Sequence, residues 1–282
     1  MNAAIKEPLR TESAGNSASR RQDEINRAVY FARGVHLYYL SKSLMTVEAV
    51  CFQKYLPHIL GRDVLDIGVG AGRTARHLAP LARRYEAIDY SPVMVRHLKK
   101  TMPEISVRQA DFRDLRVFAD DSFDFVLATA NVIDALSHED RLSALSEAHR
   151  VLRPGGVFAF SSHNIQYERA FSRPHFYWSW NPVRLCTNVA MYALGSWNHR
   201  RVGPLRTLTP EYALLNDTGH FYSCLHYYAA RYVIGLQLAA AGMPLAEVYE
   251  GNGRPLTETE DDSQHPWLFY VAMKADDLNP RG

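Results

Sequence analysis

Val64–Thr74 reads VLDIGVGAGRT. A short apolar run carries an acid, Asp66, and glycines follow at alternate positions, Gly68, Gly70 and Gly72. A loop of this kind lets the backbone pass close to a ligand. By spacing alone it serves a nicotinamide dinucleotide, a nucleotide or a nucleoside-like sulfonium. A dinucleotide fingerprint needs Gly-x-Gly-x-x-Gly, with the third glycine allowing close helix–strand packing. Here Arg73 stands at that third position and the extra glycine comes one residue early.

Around this loop, strands and helices alternate about every twenty residues, the rhythm of a parallel sheet covered on both faces. The sequence predicts strands over Val64–Ile67, Tyr85–Asp89, Ile105–Gln109, Phe123–Thr129 and Val157–Ser162. Helices are expected over Arg73–Leu81, after Ser91-Pro92 through Thr101, and from a capping box at Ser137 through Leu152. Residues 165–229 show no clear period, and the rhythm returns with the helix Arg231–Ala241 and strands Leu245–Glu250 and Trp267–Lys274. The expected fold is α/β: a doubly wound, mainly parallel, seven-stranded sheet. Residues 1–24 are expected to be a disordered tail and 25–60 a helical cap. Residues 61–164 form the cofactor core, 165–229 an insertion after the fifth strand, and 230–282 the rest of the sheet.

The bulk numbers are those of an ordinary soluble protein. Of 282 residues 47% are hydrophobic and 22% charged, and the formal net charge is +2. That balance, with basic residues only in scattered pairs, gives no electrostatic reason to expect a nucleic-acid partner. Cys51, Cys186 and Cys224 match no metal or redox spacing and read as free thiols. Neither a membrane-spanning run nor a secretory signal is visible, so a cytoplasmic monomer or homodimer without membrane contact is expected.

Ligands of such sheets sit at the carboxyl ends of the strands. Asp89 ends the second strand, where a carboxylate takes ribose hydroxyls. Asp111 and Phe112 follow the third, where an acid takes an adenine amino group. Asn131 follows the fourth, nearest the reacting end. Together with the glycine loop these describe a nucleoside site. At this point the chain resembles the class I S-adenosylmethionine-dependent methyltransferases. The motifs are VLDIGVGAG (64–72), IDYSPVM (88–94), QADFRDL (109–115), FDFVLATANVIDAL (123–136) and RVLRPGGVFAF (150–160). The resemblance implies a Rossmann-like fold and S-adenosylmethionine as cofactor, with S-adenosylhomocysteine as product. It also implies that Asp66, Gly68 and Gly70 hold the methionine end, Asp89 the ribose, Met94 and Asp111 the adenine, and that Asn131 lies beside the sulfonium. Gly72, Tyr90, Phe112 and Tyr39 complete the expected cofactor site. Plain structural readings stand beside these: Asp66 holding its loop, Met94 in the core, Asp111 in a turn. The fourth strand ends in Ala-Asn-Val-Ile rather than Asn/Asp-Pro-Pro-aromatic, which argues for a small-molecule acceptor.

Residues 165–232 hold fourteen aromatic residues and seven arginines but only three acids, Glu168, Glu211 and Asp217. Such a segment is expected to build the acceptor pocket or a lid. Tyr38, Asn164, Trp178, Tyr227 and Tyr228 are its expected substrate contacts. A hydroxyl acceptor needs a base, most often histidine. His163, at the end of the fifth strand, and His220, with Asp217 near enough in sequence to orient it, are the candidates. No His/Cys/Asp set has metal-ligand spacing, so no metal is expected. Competing readings are transfer or cyclisation of the aminocarboxypropyl or aminopropyl arm, a nicotinamide oxidoreductase, a non-catalytic binding module and RNA modification.

Overall fold

A computed structural model describes residues 12–32, 35–40 and 42–276 of the chain. Helices α1 (Glu12–Tyr30), α2 (Val35–Leu40) and α3 (Thr46–Lys54) precede the sheet. Strand β1 (Asp63–Ile67) leads through the glycine loop to the short α4 (Ala75–Leu78), and then come β2 (Arg84–Asp89), α5 (Pro92–Thr101), β3 (Ser106–Gln109) and β4 (Phe123–Ala128). A 3-10 turn (Val132–Ala135), α6 (His138–Val151) and β5 (Leu152–Asn164) complete the first half. The insertion carries α7 (Pro182–Val202), β6 (Thr207–Leu208), β7 (Tyr212–Leu215) and β8 (His226–Ala229). Helix α8 (Arg231–Ala240) and strands β9 (Leu245–Tyr249) and β10 (Trp267–Met273) close the fold.

The seven expected strands are present in the order β3-β2-β1-β4-β5-β10-β9, parallel except for β10. The order reverses between β1 and β4, which opens a crevice at their carboxyl ends. Side chains alternate between the two faces, so successive residues of β4 and β5 enter different cores. Phe125, Leu127, Val157 and Ala159 pack with Val47, Cys51 and Phe52 of α3. Phe123, Val126, Phe158 and Phe160 pack with Ala144 and Leu145 of α6 and Ile234 and Leu238 of α8. Each such side chain contributes about 1.5–3 kcal/mol through burial.

Three further strands, β8-β7-β6, extend the sheet beyond the expected seven. His163 pairs with Trp267 of β10 on one edge and with Tyr228 of β8 on the other. Strand β8 therefore occupies the edge of β5 where β4 has already ended, and this carries the insertion to the mouth of the crevice.

Two expectations fail for one physical reason. The tail expected to be disordered through residue 24 is helical from Glu12, and residues 1–11 lie outside the described residues. The packed face of α1 is polar: Gln22 and Asn26, one turn apart, are buried on hydrogen bonds rather than on apolar contacts. The aperiodic insertion likewise contains α7, which buries only Gly195, Asn198 and Val202 and exposes Val183, Val189, Met191, Tyr192 and Trp197. Hydrophobic periodicity reports only helices whose apolar face is the buried one. The first helix after the loop is also shorter than expected, Ala75–Leu78 rather than Arg73–Leu81. Among the described residues no helix is long and apolar enough to cross a membrane.

Candidate active site

Strand β1 ends at Ile67, and the amides of Gly68 and Val69 donate to the carbonyl of Ile88. This ties the loop to the end of β2 and brings Asp89 beneath it. The Gly70 amide donates to Oδ2 of Asp89 at 2.9 Å, and the Ser91 amide to Oδ1 at 2.8 Å. Burial pushes the Asp89 carboxyl up to about 6, against the pull of those two amides. Gly70 has φ +57°, and a Cβ built there meets nothing closer than 3.9 Å, so the space above the loop is open. Gly72 differs: a Cβ there would stand 2.7 Å from Leu98 Cδ2, so it allows α5 to pack against the loop and does not line the cleft.

The cleft, with ≈ 800 Å³ of empty space counted out to its open mouth, is lined by the glycine loop, Arg73, Asp89, Tyr90, Met94, Asn131, Tyr30 and Tyr39. A second hollow of ≈ 490 Å³, sharing Gly68, Asp89, Tyr90 and Val132 with it, runs on to Ala110, Asp111 and Phe112. Eight of the expected cofactor residues therefore meet in one continuous depression: Gly68, Gly70, Asp89, Tyr90, Met94, Asp111, Phe112 and Asn131. Tyr39 joins them from α2. The Tyr90 hydroxyl is buried with no protein partner among the described residues. Asp111 is gripped by Arg113 at 2.9 and 2.6 Å; burial raises its carboxyl, but Arg113 brings it net below the usual range.

Asp66 does not line the cleft. Its carboxylate lies under the loop and accepts from the hydroxyls of Thr74 and Tyr85, and burial pushes it up to about 6. These are the contacts of the plain reading, in which Asp66 holds its loop. Arg73 does line the cleft, as does Lys42; Arg73 is paired with buried Glu48 and donates to Thr129 Oγ1 at 3.2 Å. Sequence reading counted Arg73 only against a dinucleotide. Its place in the loop is the signal that it lines the cleft.

Beyond the cleft's far wall the backbone turns sharply: Ala130 and Asn131 have φ +57° and +59°. Strained residues of this kind persist where the surroundings over-determine them. Asn131 Nδ2 lies 3.1 Å from His163 Nε2, while Asn131 Oδ1 is buried without a partner among the described residues. Nδ1 of His163 is 2.7 Å from Oδ2 of Asp134, itself fully buried against Arg141. A carboxylate at Nδ1 fixes the proton there and leaves the lone pair on Nε2. Nε2 in turn is 3.9 Å from Oδ2 of Asp217.

Asp217 does not orient His220. It pairs with His226, Nδ1 to Oδ2 at 2.9 Å, and accepts from the Tyr228 hydroxyl at 2.7 Å. Burial opposes both charges, but the pairing prevails: Asp217 is held below the usual carboxylate range and His226 well above the usual imidazole value. His220 bonds Tyr39 at 3.0 Å and meets the Tyr30 ring edge-on at 5.1 Å; burial pushes it down to about 4. The fold nevertheless brings His163 together with Asp217 and His226, which are nine residues apart, and the donor atoms of the three lie within 4.8 Å of one another.

Three expected substrate contacts lie elsewhere. Asn164 is buried and donates to the carbonyls of Asp262 and His265, latching a distant loop. Tyr227 points into the core, where Gln237 donates to its hydroxyl and His138 lies 2.9 Å away. Trp178 is 64% exposed beside Trp180. Alternation along β8 sends Tyr227 and Tyr228 to opposite faces, so only Tyr228 joins the cluster, stacked on His163 at 4.7 Å. The side chain of Tyr38 lies outside the described residues.

Residues 64–156 match the family model described as a methyltransferase domain. A probable S-adenosylmethionine-dependent methyltransferase of Mycolicibacterium smegmatis is 37% identical over 115 residues, 41% of this chain and 43% of that one. The chain spans about two fifths of the length of the mycobacterial relatives it matches. Among solved structures, the 1,6-didemethyltoxoflavin-N1-methyltransferase of Burkholderia thailandensis aligns over 97% of this chain and 95% of its own, with TM-score 0.56 and 14% identity. The CcbJ methyltransferase of Streptomyces caelestis aligns over 88% and 98%, with TM-score 0.57 and 17% identity. At these identities the structural likeness is one of fold. The loop, the strand order and the family match agree: residues 64–156 match a methyltransferase domain, on a fold shared with methyltransferases of solved structure.

Proposed function

We propose that the protein transfers a methyl group from S-adenosylmethionine to an oxygen or nitrogen of a small-molecule acceptor. One observation carries the reading: the Asp89 carboxylate is presented by the Gly70 and Ser91 amides beneath an open glycine cradle. The residues fit the cofactor. Asp89 would accept from both ribose hydroxyls, Tyr90 and Asp111 face the adenine end, and Arg73 offers charge to the methionine carboxylate. The structure from Burkholderia named above was solved with S-adenosylhomocysteine bound, on the same fold.

Bound there, S-adenosylmethionine supplies an already activated methyl group, so the protein's task is alignment and exclusion of water, effects worth ~7–11 kcal/mol. Tyr30, Tyr39 and His220 close the reactive end. With its imidazole near 4, His220 is uncharged at neutral pH and does not repel a sulfonium. The acceptor's nucleophilic atom meets the His163–Asp217–His226 corner, where His163 Nε2, its Nδ1 held by Asp134, is placed to receive its proton. Tyr228 holds Asp217 in place from behind. The chain acts in the cytoplasm as a monomer or homodimer, without nucleic acid.

Calorimetry on the purified protein tests the first half of this reading. S-adenosylmethionine and S-adenosylhomocysteine are expected to bind at micromolar concentration and NADH not at all. Asp89→Ala removes two hydrogen bonds to a charged group at about 1.5–3 kcal/mol each, so affinity falls at least a hundredfold. Binding of NADH, or of neither sulfur ligand, overturns the reading. Product analysis tests the second half: S-adenosylhomocysteine supports methyl transfer, and methylthioadenosine contradicts it.

A further inference from the structure

We infer that His163, Asp217 and His226 form a binding site for one divalent transition-metal ion, on the acceptor side of the cofactor cleft. Two imidazoles and a carboxylate from three separate segments are brought within 4.8 Å. They stand at the end of β5, in the loop after β7 and at the start of β8. This is the two-histidine, one-carboxylate donor set, which leaves coordination positions open and favours manganese, iron, cobalt or zinc over magnesium or calcium.

Metal–ligand bonds of about 2.1 Å set neighbouring donors of one ion about 3.0–3.4 Å apart. The Asp217–His226 separation of 2.9 Å falls just short of that range, and His163, 3.9 Å from Asp217, would have to swing inward to complete the set.

The far side of two of the donors is already secured, as in metal sites whose outer partners orient the ligands. Asp134 holds Nδ1 of His163 at 2.7 Å, leaving Nε2 to face the cluster. The Gly219 amide donates to Oδ1 of Asp217 at 2.6 Å and the Tyr228 hydroxyl to Oδ2 at 2.7 Å.

Asn131 supplies a second, independent pointer. Its Oδ1 is buried without a partner among the described residues, and its Nδ2 lies 3.1 Å from His163 Nε2. The two ends of a side-chain amide are assigned from their hydrogen bonds, not seen directly. Turning this amide over puts Oδ1 at a ligand-to-ligand distance from His163, and the unsatisfied oxygen becomes a fourth donor. A bare ion pair between Asp217 and His226 explains neither the convergence of His163 nor this oxygen. Asn131 and Tyr30 link the cluster to the cleft: both line it, and the Tyr30 hydroxyl is 3.4 Å from Nε2 of His226. An ion here would hold the acceptor's heteroatom; that role rests on the proposed methyl transfer, whereas metal binding itself does not.

The test strips the full-length protein with chelator and titrates Co²⁺, Zn²⁺ and Mg²⁺ separately. The expected result is one Co²⁺ or Zn²⁺ per chain at micromolar or tighter affinity, with visible Co²⁺ bands, and no Mg²⁺ binding. Asp217→Asn and His226→Gln are expected to weaken Co²⁺ at least a hundredfold, and His220→Ala, the neighbouring histidine outside the cluster, not to change it. Wild-type protein that takes up no ion at one per chain overturns the site, and this measurement needs no variant to fold. Ion binding that survives both cluster substitutions places the ion elsewhere and equally overturns it. S-adenosylhomocysteine affinity, measured on the same stripped protein, reports separately on the methyltransferase reading.

Discussion

Gly70 and Asp89 lie 19 residues apart in the chain, yet the amide of the first donates to the carboxylate of the second at 2.9 Å. The bond makes the loop and the end of β2 one rigid cradle, and it carries the Asp89 carboxyl into a buried place where its proton is lost only near 6. Ribose hydroxyls donate to the ionised form. Below 6 a ligand must displace a proton, so S-adenosylhomocysteine affinity is expected to fall about tenfold per pH unit and to be flat above 7. Fold stability moves the other way. The native state binds more protons at Asp89 than the unfolded chain does between about 4 and 6, so this group favours the apo fold as pH falls through that window. Calorimetry from pH 5 to 8 on the wild type and on Asp89→Asn checks this: the variant should bind weakly with no slope. An identical slope in the variant would assign the proton to another group.

Gly70 and Gly72 are both left-handed, with φ +57° and +83°, but they guard different things. Alanine at either position pays roughly 1–2 kcal/mol for the backbone. At Gly70 the new methyl enters the open cradle, so the protein stays folded and cofactor affinity drops tenfold or more. At Gly72 it meets Leu98 and Met102 at 2.7 and 2.8 Å, and overpacking adds about 1–3 kcal/mol of destabilisation. Urea unfolding and calorimetry on both variants separate the two effects. Wild-type affinity in Gly70→Ala would mean that the ligand does not approach the loop there.

The parts of this molecule that were legible in its sequence are those built by local rules. The glycine loop, the nearly all-apolar β4 and Asp89 at a strand end announce themselves, because strand period and turn chemistry act over a few neighbours. What stayed hidden depends on contacts across the fold. α1 packs through Gln22 and Asn26, so its buried face reads as solvent-facing. Asp217 sits three residues before His220 but bonds His226, because the strained turn at 220–222 sends His220 toward Tyr39. Asn164 and Tyr227 flank the cluster in sequence and point away from it. Nearness along the chain is a weak guide to which polar groups share a site.

Asp134 joins the site to the core. One oxygen accepts from Arg141 and Ser162, each at 2.6 Å, and the other from the His163 amide at 2.7 Å. Arg141 and Asp134 are both fully buried. Truncating one partner of such a pair leaves the other charge uncompensated, so Asp134→Ala is expected to lose about 3–5 kcal/mol. Replacing both, Asp134→Leu with Arg141→Met, should recover much of that loss in urea unfolding. If the double variant is no more stable than Asp134→Ala, the damage comes from lost packing or from the freed His163 rather than from the stranded charge.

Asn26 clasps α1 over the cleft. Its Nδ2 donates to the carbonyls of Ala135 at 2.9 Å and Leu225 at 2.8 Å, and the Leu225 amide donates to its Oδ1 at 3.0 Å. One turn further on, Tyr30 lines the cleft. In Asn26→Ala the Leu225 amide loses its partner, at about 1–3 kcal/mol if it stays dry, and the carbonyls of Ala135 and Leu225 keep only the longer 3.4 Å contacts from Gln22 Nε2. The cheaper response is for α1 to detach and let water reach them, a local opening well below the global unfolding free energy. Trypsin should then cut at Arg20, Arg21 and Arg27 much faster than in the wild type, while the urea midpoint of the sheet moves little. Cofactor affinity should weaken several-fold through the displaced Tyr30, and saturating S-adenosylhomocysteine should slow the cutting. Unchanged cleavage in the variant would show that other contacts of α1, such as Ser19 on Ser137, hold it down without Asn26.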